Sequence, residues 1–349
     1  MKYLECINDD LVMRLLVVGV AVTIAAPAAA LTITPIYDSS VTSLANAGVV
    51  EAAFNTVAAD YAQSFSNPVT VYIGVSWGKV AGQALPSNAV GASSTNLYGY
   101  FSYAQIKSLL TSSSRSNPAD TSLATALGSL PVTTPPGVSK YVVSSAEAKA
   151  LGIISGSQAS FDGYIGFAGS TSGYGFTPAG VTSKVYDFQT VAAHEIAEVL
   201  GRISGVDSGA WRTPFDLFRY SAPGTLGYAY RSAAYFSIDG GQTGLANFNY
   251  SASGGDRGDW ATTATSVDAQ DAFISKGRRK NITAVDLTAL DVLGWGGHNL
   301  GNAGGAPGAT AFGLVDPAFV PEPATWAMLL TGFGIVGGAM RRRVARAVA

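Results

Sequence analysis

Apolar residues crowd the stretch from Asp187 to Arg202, D-F-Q-T-V-A-A-H-E-I-A-E-V-L-G-R, at a spacing that predicts a helix. Val191, Ala192, Ala193, Ile196, Ala197, Val199 and Leu200 nearly encircle it, so the helix is expected to be buried. Gly201 follows it and lets the chain leave sharply. Ahead of this helix the pattern predicts a strand over 31–37 and an amphipathic helix over 42–64, with Leu44, Val49, Ala52, Phe54, Val57 and Tyr61 at helical spacing. A strand follows over 69–77, T-V-Y-I-G-V-S-W after Val69. Helices are expected over 102–111, over 117–130 opening at Asp120, and over 144–151 with Ser144 or Ser145 as cap. The run D-G-Y-I-G-F-A at 162–168 reads as a strand forming the lip of a cleft, and 169–180 as a Gly/Ser/Thr loop. Beyond the buried helix lie a strand with a tight turn at 235–241 and a polar, glycine-bearing loop at 247–260. An amphipathic helix over 282–293, capped by Thr283, ends at Gly294-Trp295.

The ends of the chain read differently. Met13-Arg14, the apolar run 15–26 and the small residues Pro27-Ala28-Ala29-Ala30 form a secretion signal, giving 1–30 as signal peptide. Glu5, Asp9 and Asp10 do not suit the basic start of such a signal, so translation is expected to begin at Met13. Residues 31–297 then make one domain and 298–319 a Gly/Ala/Pro linker. Val320-Pro321-Glu322-Pro323 precedes an apolar segment at 324–340 and the cluster Arg341-Arg342-Arg343 with Arg346. By composition alone this is a C-terminal membrane anchor with its basic end inside.

The 48% hydrophobic and 13% charged content suits a folded chain with a sizeable core. Residues 31–320 keep 15 basic and 19 acidic side chains, and no basic patch argues for a nucleic-acid partner. The one cysteine, Cys6, precedes the domain, so no disulfide framework is expected.

The chemistry lies in the buried helix. His194 and Glu198 are four apart on one face, the separation of two ligands gripping one ion. Glu195 is rotated by about 100° from His194 and suits a general base acting on water held by such an ion. The bare pattern H-E-x-x-E also describes a buried His–Glu pair in a core helix. Three residues compete for a third ligand. His298 is the other of two histidines but heads the flexible linker. Asp216, in F-D-L-F-R-Y, has Arg219 three residues on, so an ion pair explains it equally well. Asp259 sits beside Trp260 in the 247–260 loop.

Two resemblances extend this reading. The tail at 320–349, Pro-Glu-Pro then an apolar segment then arginines, resembles the PEP-CTERM sorting signal of Gram-negative bacteria. It implies processing by an exosortase, with a signal peptidase acting at the other end, and transient membrane association through the C-terminal helix. Release to the cell surface or as a secreted protein follows. The central stretch, D-L-F-R-Y-S-A-P-G at 216–224, Y-F-S-I-D-G-G at 235–241, G-D-R-G-D-W at 255–260 and D-L-T-A-L-D-V-L-G-W at 286–295 are similar to secreted bacterial metalloproteases with a zincin-like fold. The implied fold class is α+β, a metzincin-related catalytic domain with its active-site helix at about 187–202. The implied function is zinc-dependent hydrolysis of peptide bonds in a protein or peptide substrate. Related zincins carry H-E-x-x-H-x-x-G, and this chain has Glu198 for the second histidine and Ser204 where metzincins place a third. They carry His-Trp where this chain has Asp259-Trp260, which favours Asp259 as third ligand. The implied set is His194, Glu198 and Asp259 on zinc, with Glu195 as base. An extra anionic ligand weakens Lewis acidity, so a slow or narrow enzyme is expected. The alternative is a non-catalytic surface or matrix protein that keeps the fold for binding.

Overall fold

The computed structural model describes residues 30–296 apart from 87–88, 119, 209–210 and 253, together with Ala318 and Phe319. The expected signal peptide, most of the linker, the sorting tail and His298 lie outside the described residues.

A four-stranded mixed sheet organises the first half. Strands β1 (Thr32–Tyr37) and β2 (Thr70–Trp77) run parallel, with Thr32 beside Thr70. Between them the chain forms helix α1 (Ala47–Ser64). Next come β3 (Gly91–Thr95), α2 (Tyr103–Ser116), α3 (Thr121–Ser129), α4 (Ser145–Ala150) and β4 (Phe161–Phe167). Strand β4 is parallel to β2 and β3 is antiparallel to β4, giving the order β1-β2-β4-β3. The run at 162–168 is therefore a central strand, not a lip; the edge is β3. Helix α5 (Phe188–Val199) packs on β3 and α1, and α6 (Ala284–Asp291) closes the domain. The second half between them is mostly loops and short pairs, including Arg219–Ala222 with Tyr235–Phe236. Ala318–Phe319 pair with Phe273–Ile274.

The sequence pattern explains the elements that form. Helix α1 buries Val50, Ala53, Phe54, Val57, Ala58 and Tyr61; Phe54, Val57 and Tyr61 of the expected stripe are buried, Val50 and Ala53 take the places expected of Val49 and Ala52, and Val49 is half exposed. It starts at Ala47, after a separate short helical turn at Ser39–Thr42. Ser102 and Gln105 form a reciprocal cap on α2, and Asp120 accepts from the backbone N–H of Leu123 on α3. The strand running into a tight turn expected over 235–241 forms, its strand limited to Tyr235–Phe236; Asp239 accepts from the Ser237 hydroxyl and the Thr243 amide and holds the turn.

Small residues let α5 approach the sheet. A Cβ at Gly163 on β4 would lie 2.7 Å from Val199, and one at Gly91 on β3 would lie 2.4 Å from Val191. Both strands are thus pressed against the helix that carries His194. Tyr61 of α1 donates to the carbonyl of Ala193 at 2.9 Å and ties the helix from the other side. Under the sheet, Lys149 and Asp162 form a fully buried ion pair at 2.6 Å. Asp162 also accepts from Ser145 and the Tyr72 amide, so the pair is well satisfied.

Glu147 of α4 is buried against the exit of α5, its carboxyl 3.1 Å from where a Cβ at Gly201 would stand. Burial holds its pKa well above the ordinary carboxylate value. A raised folded pKa gives a contribution to stability that is complete below about pH 4.3 and lost as pH rises toward the folded value. Glu147→Gln removes that loss. The variant is expected to melt above wild type at pH 7 and to converge with it near pH 4, as followed by thermal denaturation across pH.

Candidate metal centre

Helix α5 begins at the Asp187 cap, whose carboxylate accepts from the Gln189 amide and the Thr190 hydroxyl. Every residue from Thr190 to Val199 is buried. At its end Gly201 takes a φ of +112°, a left-handed geometry suited to glycine, and Arg202 N–H closes back onto Ala197 O at 3.0 Å.

His194, Glu198 and Asp259 come together on this frame. Their ligand atoms all lie within 4.8 Å of one another. His194 Nε2 stands 3.5 Å from Asp259 Oδ1 and 4.0 Å from Glu198 Oε1. His194 Nδ1 is 3.1 Å from Ala269 O; with the proton on Nδ1, Nε2 presents its lone pair toward the carboxylates. Glu198 is held from β3: the Ser93 hydroxyl donates to Oε2 and the Thr95 hydroxyl to the Glu198 carbonyl at 3.1 Å. One carboxylate oxygen is thereby fixed and the other left toward His194.

Asp259 arrives from the loop, and its neighbour sets its position. Trp260 donates its indole N–H to Asp286 at 2.8 Å and pairs through its backbone with Gln270 and Ala272. Its ring packs against Phe215, Phe236 and Phe248. The Asp259 carbonyl accepts from Asn249 N–H. Arg202 reaches the same carboxylate, Nη1 to Oδ1 at 3.7 Å.

Glu195 lies beside the three. Its carboxylate is fully buried and neither oxygen has a hydrogen-bond partner among the described residues; Gly91 approaches so closely that a Cβ there would stand 2.9 Å from Oε1. Burial, then the charge of Glu198, push its pKa well above the ordinary value. Burial likewise raises Asp259, to about 7, against the opposing pull of His194. Burial disfavours charge on His194, yet Asp259, Glu195 and Glu198 together push its pKa up to about 9. Burial is the larger cause for both carboxylates, whereas on His194 the neighbouring acids outweigh it.

The other candidates are elsewhere. Asp216 accepts from Ser204 at 2.6 Å, Gly205 N–H at 2.8 Å and Thr213 N–H at 2.9 Å, so it fixes the loop after α5. Ser204, at the metzincin ligand place, is spent on that contact. Ser93 and Arg202 touch the cluster without having been singled out in the sequence. Arg202 carried a signal, a charge just past the glycine that ends a buried helix; Ser93, in G-A-S-S-T, carried none.

The cluster is closed. His194, Glu195, Glu198 and Asp259 are at most 3% exposed. Beside His194 a pocket of about 10 Å³, lined also by Thr190, Val191, Ala269, Asp271, Ile274 and Lys280, has room for about one water.

Among known families, residues 319–343 match the PEP-CTERM protein-sorting motif. The chain therefore carries the signal that directs export to the envelope or surface of Gram-negative bacteria and processing by an exosortase. No curated protein and no solved structure matches the chain. Among the described residues no helix is long and apolar enough to cross a membrane.

Proposed function

We propose that this is a zinc-dependent peptidase of the bacterial surface, with His194, Glu198 and Asp259 as metal ligands and Glu195 as general base. One observation carries the reading: the orphaned Glu195 carboxylate beside three converging ligands. A buried carboxylate without partners is costly, and it persists where a cation or a reacting proton answers it. Charge supports the fit. With His194 neutral, Glu195, Glu198, Asp259 and the buried Arg202 sum to −2, which one divalent ion cancels. Imidazole and carboxylate are both ordinary zinc donors.

Zinc held there would supply Lewis acidity, making water acidic near pH 7 and polarising a carbonyl. Glu195, tied to nothing else, takes a proton from water and passes it to the leaving amine. The Ala269 carbonyl keeps His194 in the tautomer that offers Nε2. Ser93 keeps Glu198 from turning both oxygens inward. Ser93→Ala is accordingly expected to weaken zinc binding by about 10–100-fold, measured by competition with a chromophoric chelator. The zincin-like assignment of the fold belongs to the same proposal and is supported by the order of a helix and then a strand ahead of the metal helix.

The closed cluster favours a second reading, a surface protein whose metal is structural and whose Glu195 is idle. Metal content separates the readings from a metal-free core. About one zinc per chain with chelator-sensitive cleavage of a denatured protein supports the peptidase. Bound zinc without cleavage supports the structural role, and no zinc after metal-free preparation and reloading sinks both.

A further inference from the structure

Arg202 is a buried guanidinium with an unusual neighbourhood. It is 0% exposed, and its Nε and Nη2 have no hydrogen-bond partner among the described residues. Nη1 donates to Gln270 Oε1 at 3.0 Å, and Gln270 in turn donates to Ala193 O on α5 at 3.2 Å. Its plane lies 4.3 Å from the Trp260 ring centre and 5.3 Å from that of Phe215. So the charge is aimed, and Asp259 Oδ1 at 3.7 Å is the carboxylate it faces. The other acids nearby are engaged: Asp271 pairs with Lys280 at 2.6 Å, Asp256 accepts from Gly258 N–H, and Asp286 accepts from Trp260.

One oxygen of Asp259, Oδ1, thus lies between His194 and Arg202. A carboxylate in place of a neutral ligand adds one negative charge to a buried site. Without a counter-charge the three carboxylates and one divalent ion would leave −1 in a desolvated interior, which is costly. Arg202 supplies the missing charge from 3.7 Å. Removing either member of such a buried pair strands the other. We propose that Arg202 is a positioning residue for Asp259 and the built-in counter-charge that lets a carboxylate serve as third ligand. This rests on the metal reading above.

The test is a double-mutant cycle read by zinc affinity of the full chain, using zinc alone as probe, with thermal denaturation of the zinc-free forms alongside. In the native background Arg202→Gln leaves Asp259 unheld; this loss of positioning is expected to outweigh the electrostatic gain from removing a cation beside the ion, so that zinc affinity falls at least tenfold. In an Asp259→His background Arg202 is an unpaired surplus charge beside the ion. There Arg202→Gln is expected to raise zinc affinity at least tenfold and to raise the melting temperature. Effects of opposite sign support the proposal. Effects of one sign in both backgrounds, or none in either, overturn it while the metal reading stands. A wild-type chain that takes up no zinc overturns the metal reading itself, and this inference with it. Should Asp259→His fold only when Arg202 is also replaced, the counter-charge is supported; failure of both forms counts against it. Should Arg202→Gln fold in neither background, Gln270→Leu decides, since it frees the guanidinium from its anchor and leaves the charge. Zinc affinity several-fold weaker supports the aiming of Arg202, and unchanged affinity overturns it.

Discussion

Glu195→Gln is expected to keep its zinc and lose about 10²–10⁴-fold in turnover, the usual worth of a general base. The amide matches the carboxylate in shape, which matters where Gly91 leaves so little room around Oε1. It cannot accept a proton, and it touches none of the contacts that place His194, Glu198 or Asp259. Replacing a buried, partnerless carboxylate by a neutral group also relieves desolvation, so the variant should melt above the metal-free wild type. His194→Ala, by contrast, removes a ligand and is expected to lose metal and turnover together. Zinc content, melting temperature and peptide cleavage measured on both variants read out the difference. Undiminished cleavage by Glu195→Gln would remove Glu195 from the mechanism.

Asp259→Ala carries the second large effect. It is expected to weaken zinc binding by more than about a hundredfold, beyond the range of an outer-shell change. It also strands Arg202, so a further loss of about 3–5 kcal/mol of stability should accompany it. Asp216→Ala is the control. Its carboxylate accepts three hydrogen bonds that shape the loop after α5, and its loss should cost about 3 kcal/mol or more while zinc affinity stays near wild type. If Asp216→Ala abolished zinc binding and Asp259→Ala did not, the ligand set would be wrong.

How much of this was legible in the chain depended on how far apart the partners lie. His194, Glu195 and Glu198 share one helix, so their relation follows from 3.6 residues per turn and needs no tertiary knowledge. Asp259 lies some sixty positions downstream, and nothing local distinguishes it from Asp216. Its place came from resemblance, and the structure brings it within 3.5 Å of His194. The long elements α1, β2 and α5 were legible because buried apolar stripes are periodic. Strand β3 was not: G-A-S-S-T holds no alternating apolar residues, because one face must clear Val191 and Glu195 and present hydroxyls to Glu198. The absence of bulk that hid the strand is what lets it serve the site. The run at 162–168 was legible as a strand, but its central place was not, because its flanking partners β2 and β3 are set by long-range pairing.

The seal over the four side chains has a kinetic corollary. With at most 3% of each exposed among the described residues, an ion held by His194, Glu198 and Asp259 would be shielded from bulk water, and a peptide, like the ion, would pass only through local opening. The ion's departure waits on that opening, in which the 269–280 segment lifts from α5 and breaks the Ala269, Gln270 and Lys280 contacts that lie across His194, Ala193 and Thr190. The rate at which a chelator strips the protein should then level off as chelator concentration rises, because opening and not capture becomes the slow event. A chain exported to the cell surface would in this way hold its ion through transient shortages outside, and the lifetime of the metal would be a property of the fold.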